Sequence, residues 1–239
     1  MQSPVIEPIN AVVPPALLSF DPREAPVVAV DRALPAVHPD RLTVSALRAR
    51  FATPPVWAPE FRREPRLVDR APAEAAVLVP IVLRNKVPTV LLTERTTNLS
   101  NHSGQVAFPG GRVDPEDANI AAAALREAWE EVGLSASYIE VLGSLPTYTT
   151  VTSFIVTPVV ALVRPGFELT INPYEVADAF EVPLAWLMDP ANHRRHAMTS
   201  ADGRAREWYS MPYQDGPDER FVWGATAGML RNLYRFLIA

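Results

Sequence analysis

The feature that most constrains this chain is residues 108–134, where a Phe-Pro-Gly-Gly-Arg loop leads into an alanine-rich segment. At about 100° of rotation per residue, a helix here places the carboxylates of Glu127, Glu130 and Glu131 within about one-third of its circumference. The apolar residues fall on a separate stripe, which we expect to be buried: Ala121, Ala124, Leu125, Ala128 and Val132.

Three like charges on one helix face repel one another, at a cost of a few tenths of a kcal/mol per pair. Such a face is either solvated, which is the ordinary interpretation of an acidic helix surface, or neutralised by cations. Divalent cations such as Mg²⁺ prefer oxygen ligands and share their shell with waters and phosphates. The glycine pair just upstream favours the second interpretation, because glycine lets the backbone approach a metal closely.

These residues resemble the signature of the Nudix hydrolases, in which Gly, Glu, Arg-Glu, Glu-Glu and a final Gly follow one another at fixed spacing. Here the pattern starts at Gly111 and continues through Asp117 and Arg126 to Gly133, so that an Asp replaces the first Glu and one extra residue precedes the Arg. The resemblance implies an α+β fold, namely a Nudix-like α/β/α sandwich with a mixed β-sheet. It also implies hydrolysis of a pyrophosphate bond with Mg²⁺ or Mn²⁺.

Further motifs resemble one branch of that family, the coenzyme A pyrophosphatases. They occupy residues 91–111, 148–154, 172–176, 180–184 and 223–226. Ser100 and Ser153 depart from the pattern, since Arg and Gly are usual there. The resemblance implies cleavage of coenzyme A or its derivatives to 3′,5′-ADP and 4′-phosphopantetheine. Another dinucleotide or nucleotide sugar, such as NADH or ADP-ribose, stays open as the substrate. So does a non-catalytic nucleotide-sensing module, although such modules usually lose the carboxylates that are present here.

Four residues are candidate metal ligands. Glu127 and Glu131 are one helical turn apart and are the first choice, Glu130 is the third, and the carbonyl of Gly111 completes the shell from the loop. Arg126 lies one turn before Glu130, so it can pair with that carboxylate and orient it. The alternative for Arg126 is an ordinary surface ion pair, which contributes about 0–1 kcal/mol.

The general base is a carboxylate of the helix, such as Glu130, or of a loop, for which Glu175 is the candidate. A solvent-facing loop residue is the alternative for Glu175. Substrate contacts are expected around the loop before the helix: Arg95, His102, Gly104, Phe108 and Gly110. A lone histidine is more often structural, so that is the favoured alternative for His102. The pattern His-Arg-Arg-His at 193–196 favours a solvated loop turn over a phosphate-binding patch.

The first 74 residues differ in composition from the rest, because proline recurs throughout them. Proline excludes long helices and central strands. We expect a partly disordered, Pro-rich N-terminal extension with one short helix over residues 40–51. Trp57 and Phe61 are candidates to anchor this extension onto a Nudix domain at residues 75–239.

Composition excludes several function classes. The chain has 239 residues, no cysteine and a net charge of −5. The lack of cysteine excludes thiol catalysis and disulfides, and the acidic charge disfavours a nucleic-acid partner. No apolar run reaches the roughly 18 residues that a membrane span needs. We therefore expect a cytoplasmic enzyme with a small-molecule nucleotide substrate and no membrane partner, and a homodimer is compatible with the sequence.

Hydrophobic periodicity gives the remaining elements. The helix after the glycine loop has three candidate N-caps, Asp114, Asp117 and Asn119, and Gly133 marks its end. Further helices are predicted at residues 181–188 and 226–237, the latter with Met229, Leu230, Leu233 and Leu237 inward. Strands are predicted at residues 76–83, 89–95, 105–108, 138–145, 154–163, 208–213 and 221–223.

Overall fold

The computed structural model describes residues 21–64, 71–84, 87–96, 104–199 and 205–239. Its strands are β1 (Val27–Val30), β2 (Ala73–Arg84), β3 (Val87–Arg95), β4 (Val106–Ala107), β5 (Gly110–Arg112), β6 (Ile139–Ser144), β7 (Tyr148–Thr149), β8 (Phe154–Val163), β9 (Val176–Pro183), β10 (Arg194–Thr199), β11 (Ala205–Asp215) and β12 (Asp218–Trp223). Its α-helices are α1 (Val44–Ala52), α2 (Ile120–Val132), α3 (Leu184–Leu187) and α4 (Gly224–Ile238). Short 3₁₀ helices precede α1, follow α2 and follow α3: Pro39–Leu42, Ala136–Tyr138 and Pro190–Asn192.

The main sheet is mixed, as predicted, and within the described residues it contains eight strands. Strands β2 and β8 run parallel at its centre, and the other pairings are antiparallel. Strand β2 pairs with β3 at one end, from Ile81 to Arg84, and with β5 at the other, from Ala75 to Val77. Strand β5 therefore takes the place of β3 beside residues 75–77 of β2, and the glycine loop lies at this end of the strand.

Both faces of the main sheet are covered, which confirms the predicted sandwich. On one face, Ala76 and Leu78 of β2 pack with Ala124 and Ala128 of α2. On the other, alternate residues such as Val79 pack against α1 and α4. Helix α4 begins two residues earlier than predicted, and its four inward residues are buried as expected.

Helix α2 begins and ends where its caps predict. The side chain of Asn119 accepts a hydrogen bond from the N–H of Ala122 at 2.9 Å, and Gly133 adopts the left-handed conformation that closes a helix, with φ of 68°. The predicted stripe is wrong in one respect. Ala121 and Leu125 are only partly buried, whereas Glu131 lies inside the buried face. The helix is therefore rotated so that part of its acidic face points into the protein.

A second sheet was not predicted as a unit. It is antiparallel and has the order β1-β10-β11-β12. The prediction of a solvated turn at residues 193–196 is wrong, because His193 is 0% and His196 is 2% exposed. His196 stacks on Trp208 and contacts the Ser210 hydroxyl at 2.8 Å. A buried strand with hydrogen-bonded histidines and a solvent-exposed loop can contain the same residue types. Composition alone therefore led to the wrong prediction.

The predicted helix at residues 181–188 is also wrong over its first half. Strand β9 continues to Pro183, and α3 is a single turn. Glu181 pairs with Leu91 across the sheet, and its carboxylate accepts hydrogen bonds from Arg84 and Thr89. These cross-strand partners hold the segment extended.

The N-terminal segment from residue 21 to residue 64 packs on the rest of the chain. Its helix matches the predicted one apart from a break at Thr43, which caps α1. Trp57 packs against Phe236, and Phe61 packs edge-on against Tyr209, as anchors of this kind should. Residues 1–20 lie outside the described residues. In the part of the chain described, no helix is long and apolar enough to cross a bilayer.

Arg231 of α4 joins three parts of the chain from a position that is 2% exposed. Its guanidinium contacts Asp31 at 2.9 Å, Glu60 at 2.8 Å and His193 Nδ1 at 3.1 Å. Tyr209 lies under the same guanidinium and donates its hydroxyl to both carboxylates. Burial lowers the pKa of His193 to about 4, so this imidazole is neutral and accepts from the guanidinium.

Replacing Arg231 should therefore destabilise the fold. We expect Arg231→Met to lower the free energy of unfolding by about 3 kcal/mol, because the buried guanidinium is lost and two partly buried carboxylates lose their cation. Arg235→Met is the matched control, since Arg235 is 43% exposed and 3.9 Å from Glu60, and it should cost less than about 1 kcal/mol. Urea unfolding of both variants measures this, and equal effects would contradict the assignment.

Candidate active site

The two glycines bring the loop into direct contact with helix α2 and strand β2. A methyl group added at Gly111 would lie 2.5 Å from Oε1 of Glu127. One added at Gly110 would collide with the backbone of Ala76 and Val77. A larger residue at Gly110 would therefore need the backbone of β2 to move, and one at Gly111 would displace the Glu127 carboxylate. The backbone at Gly111 lies directly against that carboxylate.

Glu131 is the most buried carboxylate of the site, with 3% of its surface exposed. Its Oε2 accepts a hydrogen bond from the Gly110 N–H at 3.2 Å, and its Oε1 is 3.7 Å from the Arg95 guanidinium. Burial raises the pKa of Glu131 to about 8 against the opposing effects of Arg95 and Gly110. The two partners thus compensate only part of the cost of burying this charge.

Glu127 is also largely buried, with 15% of its side chain exposed. Burial raises its pKa, and Arg126, whose Nη1 is 3.0 Å from Oε1, opposes that effect. Glu130 and Glu175 add to the rise through like-charge repulsion. Glu130 itself is 51% exposed, and it shares the Arg126 Nη1 with Glu127, since both carboxylates lie 3.0 Å from that nitrogen.

Arg126 joins the loop to the helix. It contacts Glu130 at 3.0 Å, which confirms the predicted pairing. It also donates to both oxygens of Asp117, at 3.0 and 2.9 Å, and to the Arg112 carbonyl at 3.0 Å. The hydrogen bonds from Arg126 lower the pKa of Asp117. A surface ion pair alone does not describe an arginine with this many partners.

Sequence reasoning missed the main role of Asp117. We considered this residue as a helix cap and as a replacement for the usual Glu, yet the cap is Asn119 and Asp117 is the two-pronged partner of Arg126. The Asp117 carboxylate also accepts from the Asp114 N–H at 2.8 Å and so closes the loop on itself. The sequence contains both partners of this bidentate contact, namely one carboxylate and one guanidinium. Eight residues separate them, and this distance along the chain concealed the pairing.

The structure brings Glu175 to the same site from a distant part of the sequence. Its loop is tied to the end of α2, because the Asn172 N–H donates to the Glu131 carbonyl at 2.9 Å. Asn172 also donates its side-chain amide to Glu175 Oε1 at 3.3 Å. Burial is the main cause of the raised pKa of Glu127 and of Glu131, and the charge of Glu175 raises both pKa values further.

The predicted substrate contacts divide into three groups. Arg95 is half-buried at the end of β3 beside Glu131, and the Gly104 N–H donates to the Arg95 carbonyl at 3.1 Å. Phe108 is 3% exposed and packs in the core, so it supports the loop from below rather than facing a ligand. His102 lies outside the described residues, as does Ser100.

The donor set of this site fits a hard divalent cation. The carboxylates of Glu127, Glu131 and Glu175 repel one another, and the backbone of the glycine loop lies directly against Glu127 and Glu131. Carboxylate oxygens are the ligands that such a cation prefers. Among the residues described, no three acidic or imidazole side chains are already gathered into a metal-binding group. The fit of a divalent cation therefore rests on the oxygen chemistry of the donor groups and on the charge repulsion between the carboxylates.

Comparison with known proteins identifies the family of this chain. The model of the NUDIX domain matches residues 72–203. Two relatives are each described as an uncharacterized Nudix hydrolase NudL, one from Escherichia coli at 44% identity and one from Shigella flexneri at 42%. Each alignment covers 80% of this chain and 93% of the relative. A MutT/nudix family protein from Enterococcus faecalis superposes with a TM-score of 0.43 at 15% identity, over 82% of this chain and 71% of that one.

Family membership follows from the domain match and from the relatives, which align over nearly their whole length. Nudix hydrolases use divalent metal ions and bind small-molecule nucleotides. The chain belongs to the Nudix hydrolase family and is a pyrophosphohydrolase.

Proposed function

We propose that this Nudix hydrolase cleaves the pyrophosphate bond of coenzyme A or its derivatives, releasing 3′,5′-ADP and 4′-phosphopantetheine. The observation that supports the proposal is the convergence of separate sequence motifs on one site. Arg95 belongs to the motif that precedes the glycine loop, and Glu175 to a motif some 80 residues later. Both lie beside Glu131, although neither belongs to the Nudix signature itself.

The departure of Ser153 from the branch pattern is compatible with that substrate. Glycine is usual at this position, and Ser153 adopts a left-handed backbone conformation with φ of 61°. It is fully buried, and the turn is closed by the hydrogen bond from its N–H to the Thr150 carbonyl at 3.0 Å. The serine therefore keeps the backbone geometry that a glycine would provide, at the modest cost of a strained conformation.

Glu127 and Glu131 would hold a Mg²⁺ or Mn²⁺ ion, with Glu130 and the Gly111 carbonyl as further ligands. When bound, such an ion neutralises charge on the phosphate oxygens and makes water a better nucleophile at neutral pH. Arg95 supplies a fixed cation for the phosphates at the same edge of the site. Arg126 is a positioning residue, because it holds the loop through Asp117 and holds Glu127 and Glu130 on the helix.

Glu175 is the proposed general base. It is within electrostatic reach of both buried carboxylates, and its loop is fixed by hydrogen bonds rather than free in solvent. Glu130 is the alternative, since it is more exposed and lies on the same helix face. A base of this kind contributes about 10²- to 10⁴-fold to the rate.

A substrate panel tests the proposed reaction. With Mg²⁺ present, we expect the highest kcat/KM for coenzyme A or an acyl ester, and 3′,5′-ADP as a product identified by chromatography. The panel also contains NADH, ADP-ribose and nucleoside triphosphates. Preference for one of these would refute the coenzyme A proposal and leave the reaction class standing. No turnover of any member by folded protein would contradict pyrophosphate hydrolysis altogether.

Replacing Glu175 tests the general base. Glu175→Gln should lower kcat by about 10²- to 10⁴-fold, with little change in KM. Glu168→Gln is the matched control, because Glu168 is an exposed residue a few positions earlier in the same connection, and it should leave the kinetics unchanged. A kcat of Glu175→Gln close to that of the wild type would transfer the role to another group.

A further inference from the structure

We propose that Tyr174 is a substrate-binding residue whose aromatic ring stacks on the nucleobase of the substrate. The proposal rests on the proposed function insofar as the substrate is a nucleotide. It assigns a base-recognition role to a residue outside the Nudix signature and outside the carboxylate cluster. Three observations carry it: the exposure of the ring, the rigidity of its backbone, and its position beside the site.

Tyr174 is 83% exposed, which is unusual for a large aromatic side chain. A single exposed apolar residue needs no explanation by itself. Its location does, because it directly precedes Glu175, the residue that reaches the carboxylate cluster. The ring is thus not engaged in the core, and its backbone belongs to the loop that the Asn172 N–H ties to the Glu131 carbonyl at 2.9 Å.

The backbone that carries Tyr174 is held on two sides. The Thr96 hydroxyl at the end of β3 donates to the Tyr174 carbonyl at 3.3 Å, and the Thr96 N–H donates to the Glu175 carbonyl at 3.1 Å. On the other side, the Tyr174 N–H donates to the Asn172 side chain at 3.2 Å, and Asn172 is bonded in turn to the end of α2 at Glu131. An aromatic residue on a backbone fixed in this way loses little conformational freedom on binding.

The position suits a base rather than a phosphate. The phosphates of a nucleotide would lie at the cluster formed by Glu127, Glu131 and Arg95, where a divalent cation and a guanidinium are available. The base is joined to the phosphates through a ribose, so it would lie outside the cluster, at its rim. Tyr174 offers an apolar face there and no charge. Base–aromatic stacking tolerates different bases because every base has a π-face.

Trp129 provides an internal comparison. It is also an exposed aromatic residue, at 59%, and it lies on the same helix as the carboxylates. It is two residues after Glu127, which places it about 200° around the helix and away from the acidic face. An aromatic ring exposed there would not meet a ligand held by Glu127 and Glu131, so Trp129→Ala is the matched control.

Removal of the ring tests the proposal. Tyr174→Ala should raise KM for the substrate that the enzyme turns over best by about 5- to 150-fold, with kcat changed little. Tyr174→Phe keeps the ring and should behave like the wild type, as should Trp129→Ala. An analogue with an abasic ribose should lose nothing in Tyr174→Ala, because the contact is already missing from that analogue.

A binding measurement separates this proposal from the proposed reaction. Calorimetry with 3′,5′-ADP should show the same 5- to 150-fold weakening in Tyr174→Ala, whether or not coenzyme A is the best substrate. Equal Kd and KM in the two proteins would overturn the stacking role. An equal loss toward the abasic analogue would also overturn it, because it would show that the loop, and not the ring, was affected. Absence of nucleotide binding by the wild type would overturn both proposals.

Discussion

The burial of the Glu131 carboxylate is the constraint on which the rest of the site depends. Within the described residues, a group that is 3% exposed and has a backbone N–H at 3.2 Å and a guanidinium at 3.7 Å remains undercompensated. The fold maintains this cost through elements from separate parts of the sequence. The glycine loop, the end of β3 and the Asn172–Glu175 turn all contact the same part of α2. We propose that a divalent cation offsets the repulsion.

A second constraint holds the outer part of the molecule. The buried Arg231 guanidinium contacts Asp31 and Glu60 of the N-terminal segment and the imidazole of His193 from the second sheet. The Pro-rich segment therefore contributes charged partners to the core of the described structure. Its prolines exclude long helices and strands. Single side chains of this segment, which contact α4, stabilise the fold instead.

Sequence could predict the elements whose signals are local. The caps at Asn119 and Gly133, the apolar and β-branched runs of β2 and β8, and the inward stripe of α4 all depend on neighbouring residues. It could not predict how far α2 is rotated, because the buried face depends on β2 and on the loop that pack against it. The strand β10 was missed for a similar reason, since His196 is buried only by partners such as Trp208 and Ser210.

The most direct test of the central claim is the stability of Glu131→Gln with and without Mg²⁺. The pKa of Glu131 is raised from 4.5 to about 8, so in the metal-free wild type this group destabilises the fold increasingly as pH rises through that window. At about pH 8 the metal-free variant should be at least as stable as the wild type in urea. Mg²⁺ at about 100 times its Kd should stabilise only the wild type, by about 2.7 kcal/mol. A metal-free variant clearly less stable than the wild type, or equal stabilisation of both proteins by Mg²⁺, would contradict the account.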